Sequence, residues 1–173
     1  MRDCLTDDFT VLMQPRYHQA LTPVPGQLGH LARHTRFSEL YGETLFHKAD
    51  PTTAEGFASL ERATLRLRES LRGLHGKMLF QITAEAPETP RIFAETADML
   101  DRLARGASLV TIALVEGRPE GPFPEMERAE SRGSHRLLRC RPLSAPRDTA
   151  YADPLDEVVM LRGALSTVVN DTP

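Results

Sequence analysis

Residues 109–115, Leu-Val-Thr-Ile-Ala-Leu-Val, have the clearest strand pattern in the chain. A strand that is apolar on both faces is typical of the interior of a sheet. Upstream, residues 78–83 (Met-Leu-Phe-Gln-Ile-Thr) form a second strand pattern, and residues 91–105 repeat apolar side chains at helical spacing. Strand, helix and strand at this spacing predict a right-handed βαβ unit with parallel strands.

Two further helices are predicted, one on each side of this unit. Asp50-Pro51 is typical of a helix start, because aspartate accepts free N–H groups and proline suits the first helical position. Apolar residues then recur at steps of three and four as far as about Gly73. A second Asp-Pro pair, at 153–154, begins a final helix. We expect its apolar residues to cover a sheet face: Leu155, Val158, Val159, Leu161, Leu165 and Val168.

A strand pattern at residues 137–143 completes the predicted sheet. Apolar side chains alternate there with Arg139 and Arg141, which favours an outer strand. We therefore predict a two-layer α+β domain, in which a mixed sheet of roughly three to five strands packs with about three helices on one or both faces. Residues 51–170 form this domain. Residues 1–50, which are rich in proline and glycine signals, form an irregular N-terminal cap.

Composition limits the class of protein. The chain has 173 residues, a net charge of -3 at pH 7 and two cysteines. This length buries enough surface to fold without a disulfide or metal, and the slight acidity argues against a dedicated nucleic-acid binder. The first residues do not resemble a signal peptide, and no apolar run reaches the length of a membrane span. Arginine greatly outnumbers lysine, which suits a GC-rich bacterial genome. We expect a compact, soluble protein of the bacterial cytoplasm with no membrane partner.

The candidate metal ligands are three histidines, His30, His34 and His47. Because His30 and His34 are four residues apart, they would lie on the same face of a helix and could coordinate one metal ion. The segment lacks the H-E-x-x-H pattern that adds a general base to such a pair. Two interpretations remain open: a small metal-dependent enzyme that uses these residues, or histidines that only form hydrogen bonds.

The candidate anion ligands are Arg136, Arg139 and Arg141. Arginine binds phosphate and carboxylate through two parallel hydrogen bonds, so a site here predicts an anion- or nucleotide-binding module. The alternative is a solvated edge strand, whose charges discourage pairing with other chains. Cys140, which lies among these arginines, is either a reactive thiol with a lowered pKa or a buried structural residue.

Signatures of catalysis and nucleotide binding are missing from the sequence: it has no Walker loop, dinucleotide glycine fingerprint, zinc knuckle, EF-hand loop or kinase signature. Ser134 and His135 are adjacent, and neighbours on a strand point to opposite faces, which disfavours a nucleophile–base pair. The apolar seam of the first long helix offers a face for a protein partner. The predicted partner-binding residues are Phe57, Leu60, Leu67 and Leu71. We predict a non-catalytic accessory or regulatory protein that acts through protein–protein contact, as a homo-oligomer and without a cofactor.

Overall fold

The chain divides into two compact units, one of residues 3–70 and one of residues 71–173 together with residues 1–2. The computed structural model describes residues 2–22, 32–41, 44–46, 49–73, 77–104, 106–147, 150–151 and 153–169. Within these residues, no helix is long and apolar enough to cross a membrane. The first unit extends beyond residue 50, so it contains most of the helix that the sequence analysis assigns to the α+β domain. The predicted domain division at that residue stays a prediction.

The first 72 residues form short strands and three helices in their described part. The elements are α1 (Arg2–Thr6), a 3-10 turn (Pro15–Tyr17), β1 (His18–Ala20), β2 (Ala32–His34), α2 (Thr35–Tyr41), β3 (Leu45–Phe46) and α3 (Ala54–Arg72). The three strands form an antiparallel sheet in the order β1-β2-β3. His18 pairs with His34 in this sheet, which places the two imidazoles on the same face.

Helix α3 begins just after the predicted start signal. Asp50 closes a turn, in which its carbonyl oxygen accepts the N–H of Thr53 at 3.0 Å. The hydroxyl of Thr53 then accepts the N–H of Gly56 at 3.1 Å and caps the helix. Gly56 allows the carbonyl of Asp50 to approach, because an added Cβ would overlap that oxygen. Pro51 therefore lies in the turn, and the helix itself begins at Ala54.

The second unit contains a four-stranded mixed sheet. Its elements are β4 (Lys77–Ala84), α4 (Thr89–Leu103), β5 (Ala107–Leu114), β6 (Glu125–Arg132), β7 (His135–Arg141), β8 (Pro146–Arg147), β9 (Ala150–Tyr151) and α5 (Pro154–Val169). The strand order is β4-β5-β7-β6, and β8 pairs with β9 in a separate hairpin. Strands β4, β5 and β7 are parallel, and β6 runs antiparallel to β7. The predicted βαβ unit of β4, α4 and β5 is confirmed.

The two faces of this sheet are covered by different helices. Val110 and Ile112 of β5 form a buried cluster with Met160 and Ala164 of α5. The alternate residues of β5 point to the opposite face. On that face, Asp101 of α4 accepts a hydrogen bond from a β7 side chain at 3.1 Å. The α+β class and the mixed sheet are confirmed, and a helix lies on each face of the sheet.

Two features of the sheet differ from the sequence analysis. The strand predicted at residues 137–143 as an outer one is β7, an interior strand between β5 and β6. The strand beyond β7 is β6, Glu-Met-Glu-Arg-Ala-Glu-Ser-Arg, an edge strand that has too few apolar residues to show a strand pattern. Arg139 and Arg141 are tolerated on an interior strand because carboxylates on neighbouring residues pair with both. The prediction of a solvated edge strand at Arg139 and Arg141 is therefore wrong, and the charged edge strand is β6.

Candidate functional site

Strand β4 forms one edge of the four-stranded sheet. The N–H of Lys77 donates to Gly106 at 3.3 Å, and the N–H of Glu85 donates to Leu114 at 2.9 Å. Odd-numbered residues of this strand therefore bond to β5. Successive residues of a strand point their N–H and C=O groups to opposite sides, so the even-numbered residues present theirs to the open edge. β4 thus offers a row of backbone donors and acceptors with which another strand can pair.

Two large apolar side chains of β4 are exposed beside this row. Phe80 is 41% exposed and Ile82 is 53% exposed. They lie in register with Val110 and Ile112 of β5, and therefore on the same sheet face. Because Val110 and Ile112 pack against α5, Phe80 and Ile82 extend the apolar surface beyond that helix to the sheet edge.

Helix α5 presents a second set of exposed apolar side chains to solvent. Val158, Leu161 and Leu165 are 42–55% exposed, and they follow one another at steps of three and four, so they form one stripe. Met160 and Ala164 face the core instead. The sequence analysis expects the three exposed residues to cover the sheet, and that expectation is wrong, because the helix is apolar on more than one side.

The stripe on α5 lies on the side of the helix away from β6. A Cβ added at Gly163 would meet the side chain of Met126, so this flank of the helix faces β6. At 100° per residue from the inward-facing Met160, Leu161 lies on the opposite flank, and Leu165 and Val158 lie between that flank and the solvent side of the helix. That flank lies towards the end of the sheet that β4 forms, because β4 and β6 are the two ends of the sheet. We call Phe80, Ile82, Val158, Leu161 and Leu165 together the β4–α5 surface.

The other edge of the sheet has a different character. β6 carries charged residues along most of its length, and its register with β7 shifts between Arg128 and Glu130. Charges and bulges on an edge strand oppose pairing with another chain. The apolar residues of β4, and the absence of charge between Lys77 and Glu85, give that edge no such protection. The two edges therefore differ in their capacity to bind a further strand.

His34 is the one predicted metal ligand among the described residues, because His30 and His47 lie outside them. It belongs to β2 rather than to a helix, and its side chain is fully buried. Nε2 bonds the carbonyl oxygen of Val11 at 3.2 Å, and Nδ1 accepts the N–H of Phe37 at 3.2 Å. A metal ion on His34 would have to displace one of these bonds. In the described residues, no three His, Cys, Asp or Glu side chains are placed to hold a metal. The metal-dependent enzyme stays a prediction, which metal analysis of the purified protein tests.

The three predicted anion ligands lie on two faces of β7. Arg139 binds Glu85 through two hydrogen bonds, at 2.5 and 2.9 Å, and also bonds Glu127 at 3.1 Å. The Arg139 hydrogen bonds and charge lower the pKa of Glu85. Arg141 bonds a carboxylate of β6 at 2.6 Å. Arg136 lies on the opposite face by alternation, is nearly buried, and donates to the carbonyl of its neighbour, residue 135, at 2.7 Å. A free phosphate would compete with these carboxylates, and the anion site stays a prediction.

His135 is fully buried and joins three elements of the second unit. Nδ1 accepts the N–H of Leu109 at 2.9 Å, and Nε2 donates to Asp101 at 3.1 Å. Ser134 donates to the carbonyl of Ala107 at 3.3 Å instead of to this imidazole. Since both ring nitrogens are used, His135 holds β5 and α4 together, and the pair with Ser134 has no catalytic geometry.

The predicted partner-binding residues on α3 are at least half-buried. Phe57, Leu60 and Leu67 are of intermediate exposure, and Leu71 is buried. The ring of Phe57 lies 5.9 Å from that of His18. A shallow groove of about 320 Å³ lies beside the seam in the first unit and is lined by these residues: Thr10, Met13, Phe57, Glu61, Thr64, Leu65 and Arg68. Contact of this seam with another protein stays a prediction.

Searches found no matching family model, no matching curated protein and no matching solved structure. The site must therefore be judged on its geometry alone. The β4–α5 surface is the strongest candidate for a binding site, because its side chains are exposed and it lies beside an open backbone edge. The buried imidazoles and the paired arginines instead make contacts within the chain. The sequence analysis did not predict this surface. The apolar residues around α5 could have indicated it, because a helix that is apolar on more than one side needs an apolar contact on more than one side.

Cys140, which lies on β7 among the candidate anion ligands, was interpreted above as either a reactive thiol or a buried structural residue. Burial, with a smaller contribution from the charge of Asp156, raises the pKa of Cys140 to about 11. The thiol is therefore protonated at pH 8, and it is fully buried. We expect iodoacetamide at pH 8 to leave Cys140 unmodified in the folded protein and to alkylate it in urea, as measured by peptide mass spectrometry. Rapid alkylation without denaturant would contradict the structural role.

Proposed function

We propose that this chain acts through protein–protein contact, as an accessory or regulatory protein without catalysis of its own, and that the β4–α5 surface binds its partner. The observation that carries the proposal is the exposed apolar surface beside an open sheet edge. Isolated exposed apolar residues are common, but a contiguous group is typical of an interaction site. Phe80 and Ile82 lie on the sheet face that α5 covers, and Val158, Leu161 and Leu165 lie on the side of α5 away from β6.

Energetics support the same choice of surface. Each apolar Å² removed from water contributes about 25 cal/mol, so covering several large side chains provides a substantial driving force for association. Backbone pairing at the β4 edge would also fix the orientation of the partner, since hydrogen bonds determine the register of an added strand. The surface thus supplies both affinity and specificity for another protein.

Four of the candidate side chains described above are engaged within the chain. His34 and His135 use both ring nitrogens, and Arg139 and Arg141 are paired with glutamates. This supports a role in binding over a role in catalysis. We further propose that the protein acts in the cytoplasm, where its two free cysteines, Cys4 and Cys140, stay reduced.

Charged substitutions on α5 test the proposal. We expect Leu161→Glu combined with Leu165→Glu to weaken association about 100-fold or more, because a carboxylate would have to be buried without a partner. Ser166→Glu is the matched control, since Ser166 is exposed on the same helix but lies outside the stripe. Sedimentation measures self-association, and quantitative co-purification measures a stoichiometric second protein. The proposal fails if neither form of association depends on the α5 stripe.

A further inference from the structure

The open edge of β4 is complementary to itself. Its outward N–H and C=O groups belong to the even-numbered residues Met78, Phe80, Ile82 and Ala84, as the bonds of Lys77 and Glu85 to β5 imply. These four positions are symmetric about Gln81. A second β4 strand, rotated by a two-fold axis through that residue, presents the same groups in the opposite order.

We propose that β4 pairs antiparallel with β4 of a second copy of this chain, across a two-fold axis at Gln81. This inference rests on the proposed function of the β4–α5 surface and names its partner. Phe80 then lies opposite Ile82 of the second copy, and Met78 lies opposite its Ala84. Every outward N–H and C=O of the strand finds a partner in this register.

The side chains favour this register over its neighbours. Phe80 and Ile82 form reciprocal cross-strand pairs, a combination of aromatic and β-branched residues that stabilises antiparallel sheets. Lys77 lies opposite Glu85 of the second copy, so no like charges meet at the ends of the strand, although Arg139 already binds both oxygens of Glu85 within its own chain. Shifting the axis to residue 80 leaves the outward groups of Ala84 without a partner in β4 and sets Lys77 opposite Thr83. The central register pairs every outward backbone group of the strand and places no like charges opposite each other.

The remainder of the sheet explains why pairing stops at two copies. Strand pairing at one edge would continue into a filament if the other edge were equally open. The second edge, β6, carries charges and an irregular register that oppose pairing. A two-fold contact through β4 is therefore closed, and it joins two four-stranded sheets into one. Because the axis is perpendicular to the sheet, the apolar residues of both copies lie on one face.

Engineered cysteines test the register. Residues directly opposite in a non-hydrogen-bonded antiparallel pair have Cα atoms about 4.5 Å apart, within reach of a disulfide. We expect Gln81→Cys, in a Cys4→Ser background, to form a cross-linked dimer on oxidation, seen on a non-reducing gel. Thr83→Cys is the matched control: two copies of residue 83 would lie about 13 Å apart along the strands, so it should not cross-link. Efficient cross-linking through residue 83 but not 81 would overturn the proposed pairing.

A backbone substitution tests the contact without cysteine chemistry. Ile82→Pro removes an N–H that faces the open edge, so the pairing of β4 with β5 is kept. We expect it to weaken dimerisation roughly 30-fold or more, whereas Ile82→Val, which keeps the N–H, changes it little. Wild type should sediment at twice the monomer mass of 19.3 kDa. Circular dichroism, expected to match wild type, checks that the proline variant folds.

The outcomes separate this inference from the proposed function. A wild-type protein that stays monomeric at all concentrations overturns the β4–β4 dimer, even where a different protein binds the same surface. A dimer that survives Ile82→Pro also overturns it, and it places the contact elsewhere on the chain. If neither self-association nor binding to another protein responds to Leu161→Glu and Leu165→Glu, the proposed function fails as well.

Discussion

Replacing Asp156 by alanine is expected to lower the free energy of unfolding by about 3 to 4 kcal/mol. The carboxylate is fully buried in the first turn of α5 and accepts the N–H of Leu143 at 2.7 Å. It also accepts the N–H and the hydroxyl of Ser144, at 3.0 and 2.7 Å. The hydroxyl oxygen of Ser144 in turn accepts the N–H of Asp153 at 3.0 Å. The loss is large because several donors are left without an acceptor, and bonds to a charged acceptor are stronger than neutral ones.

Urea denaturation of matched variants measures this effect. Asp156→Asn keeps one oxygen acceptor and should lose about half as much stability as Asp156→Ala. Glu157→Ala is the control, because the neighbouring carboxylate is exposed and accepts the N–H of Tyr151 at 3.2 Å. We expect the control to change stability by less than about 1 kcal/mol. Equal effects at positions 156 and 157 would show that the buried network does not anchor α5.

Replacing His34 by alanine is expected to destabilise the protein by about 3 kcal/mol. Its buried ring stacks on Phe37 with centroids 4.2 Å apart and lies 5.6 Å from the ring of Tyr17. Removing the ring leaves a cavity and also leaves the N–H of Phe37 without its acceptor. His34→Phe separates the two losses, because it fills the space but cannot accept that hydrogen bond. It should cost about 1 to 2 kcal/mol.

The pH dependence of stability tests the same residue independently. Burial lowers the pKa of His34 below its ordinary value of 6.5, and nearby His18 adds to the shift, whereas the carbonyl of Val11 opposes it. The unfolded chain therefore binds a proton more readily than the folded one below about pH 6.5. The contribution of neutral His34 to the free energy of unfolding is therefore fully present above that pH. It decreases as the pH falls towards the pKa of His34 in the folded protein. Chemical denaturation at pH 5 and pH 7.5 measures how much the free energy of unfolding changes between the two pH values. We expect a smaller change in His34→Phe than in wild type. An equal change in both proteins would contradict the attribution of this pH dependence to His34.

Local patterns predicted those parts of the fold that depend on neighbouring residues. The apolar periodicity of β4, α4, β5 and α3 is strong, and these elements form close to the expected positions. Strand β6 was missed because an edge strand with both sides near solvent needs few apolar residues. The insertion of β7 between β5 and β6 is a non-local choice, which alternation within residues 137–143 could not reveal.

The candidate site was harder to predict for the same reason. Whether Phe80 and Ile82 are covered depends on which strand lies beside β4, and the strand order is set by distant parts of the chain. The broad apolar surface of α5 was visible in the sequence, but only the packing of Met160 against the sheet shows which residues remain exposed. For His34 the sequence spacing suggested a metal ligand. In the structure its buried ring is instead hydrogen-bonded to two backbone groups.

Amide hydrogen exchange along β4 tests most directly whether its open edge is a contact surface. The N–H groups of Phe80 and Ile82 point to this edge, and those of Gln81 and Thr83 point to β5. The account predicts that the first two exchange slowly in concentrated wild-type protein and at least about tenfold faster in the Leu161→Glu, Leu165→Glu variant, while the second two stay slow in both. Fast exchange of Phe80 and Ile82 under every associating condition would contradict the account, because no strand would then be paired with β4.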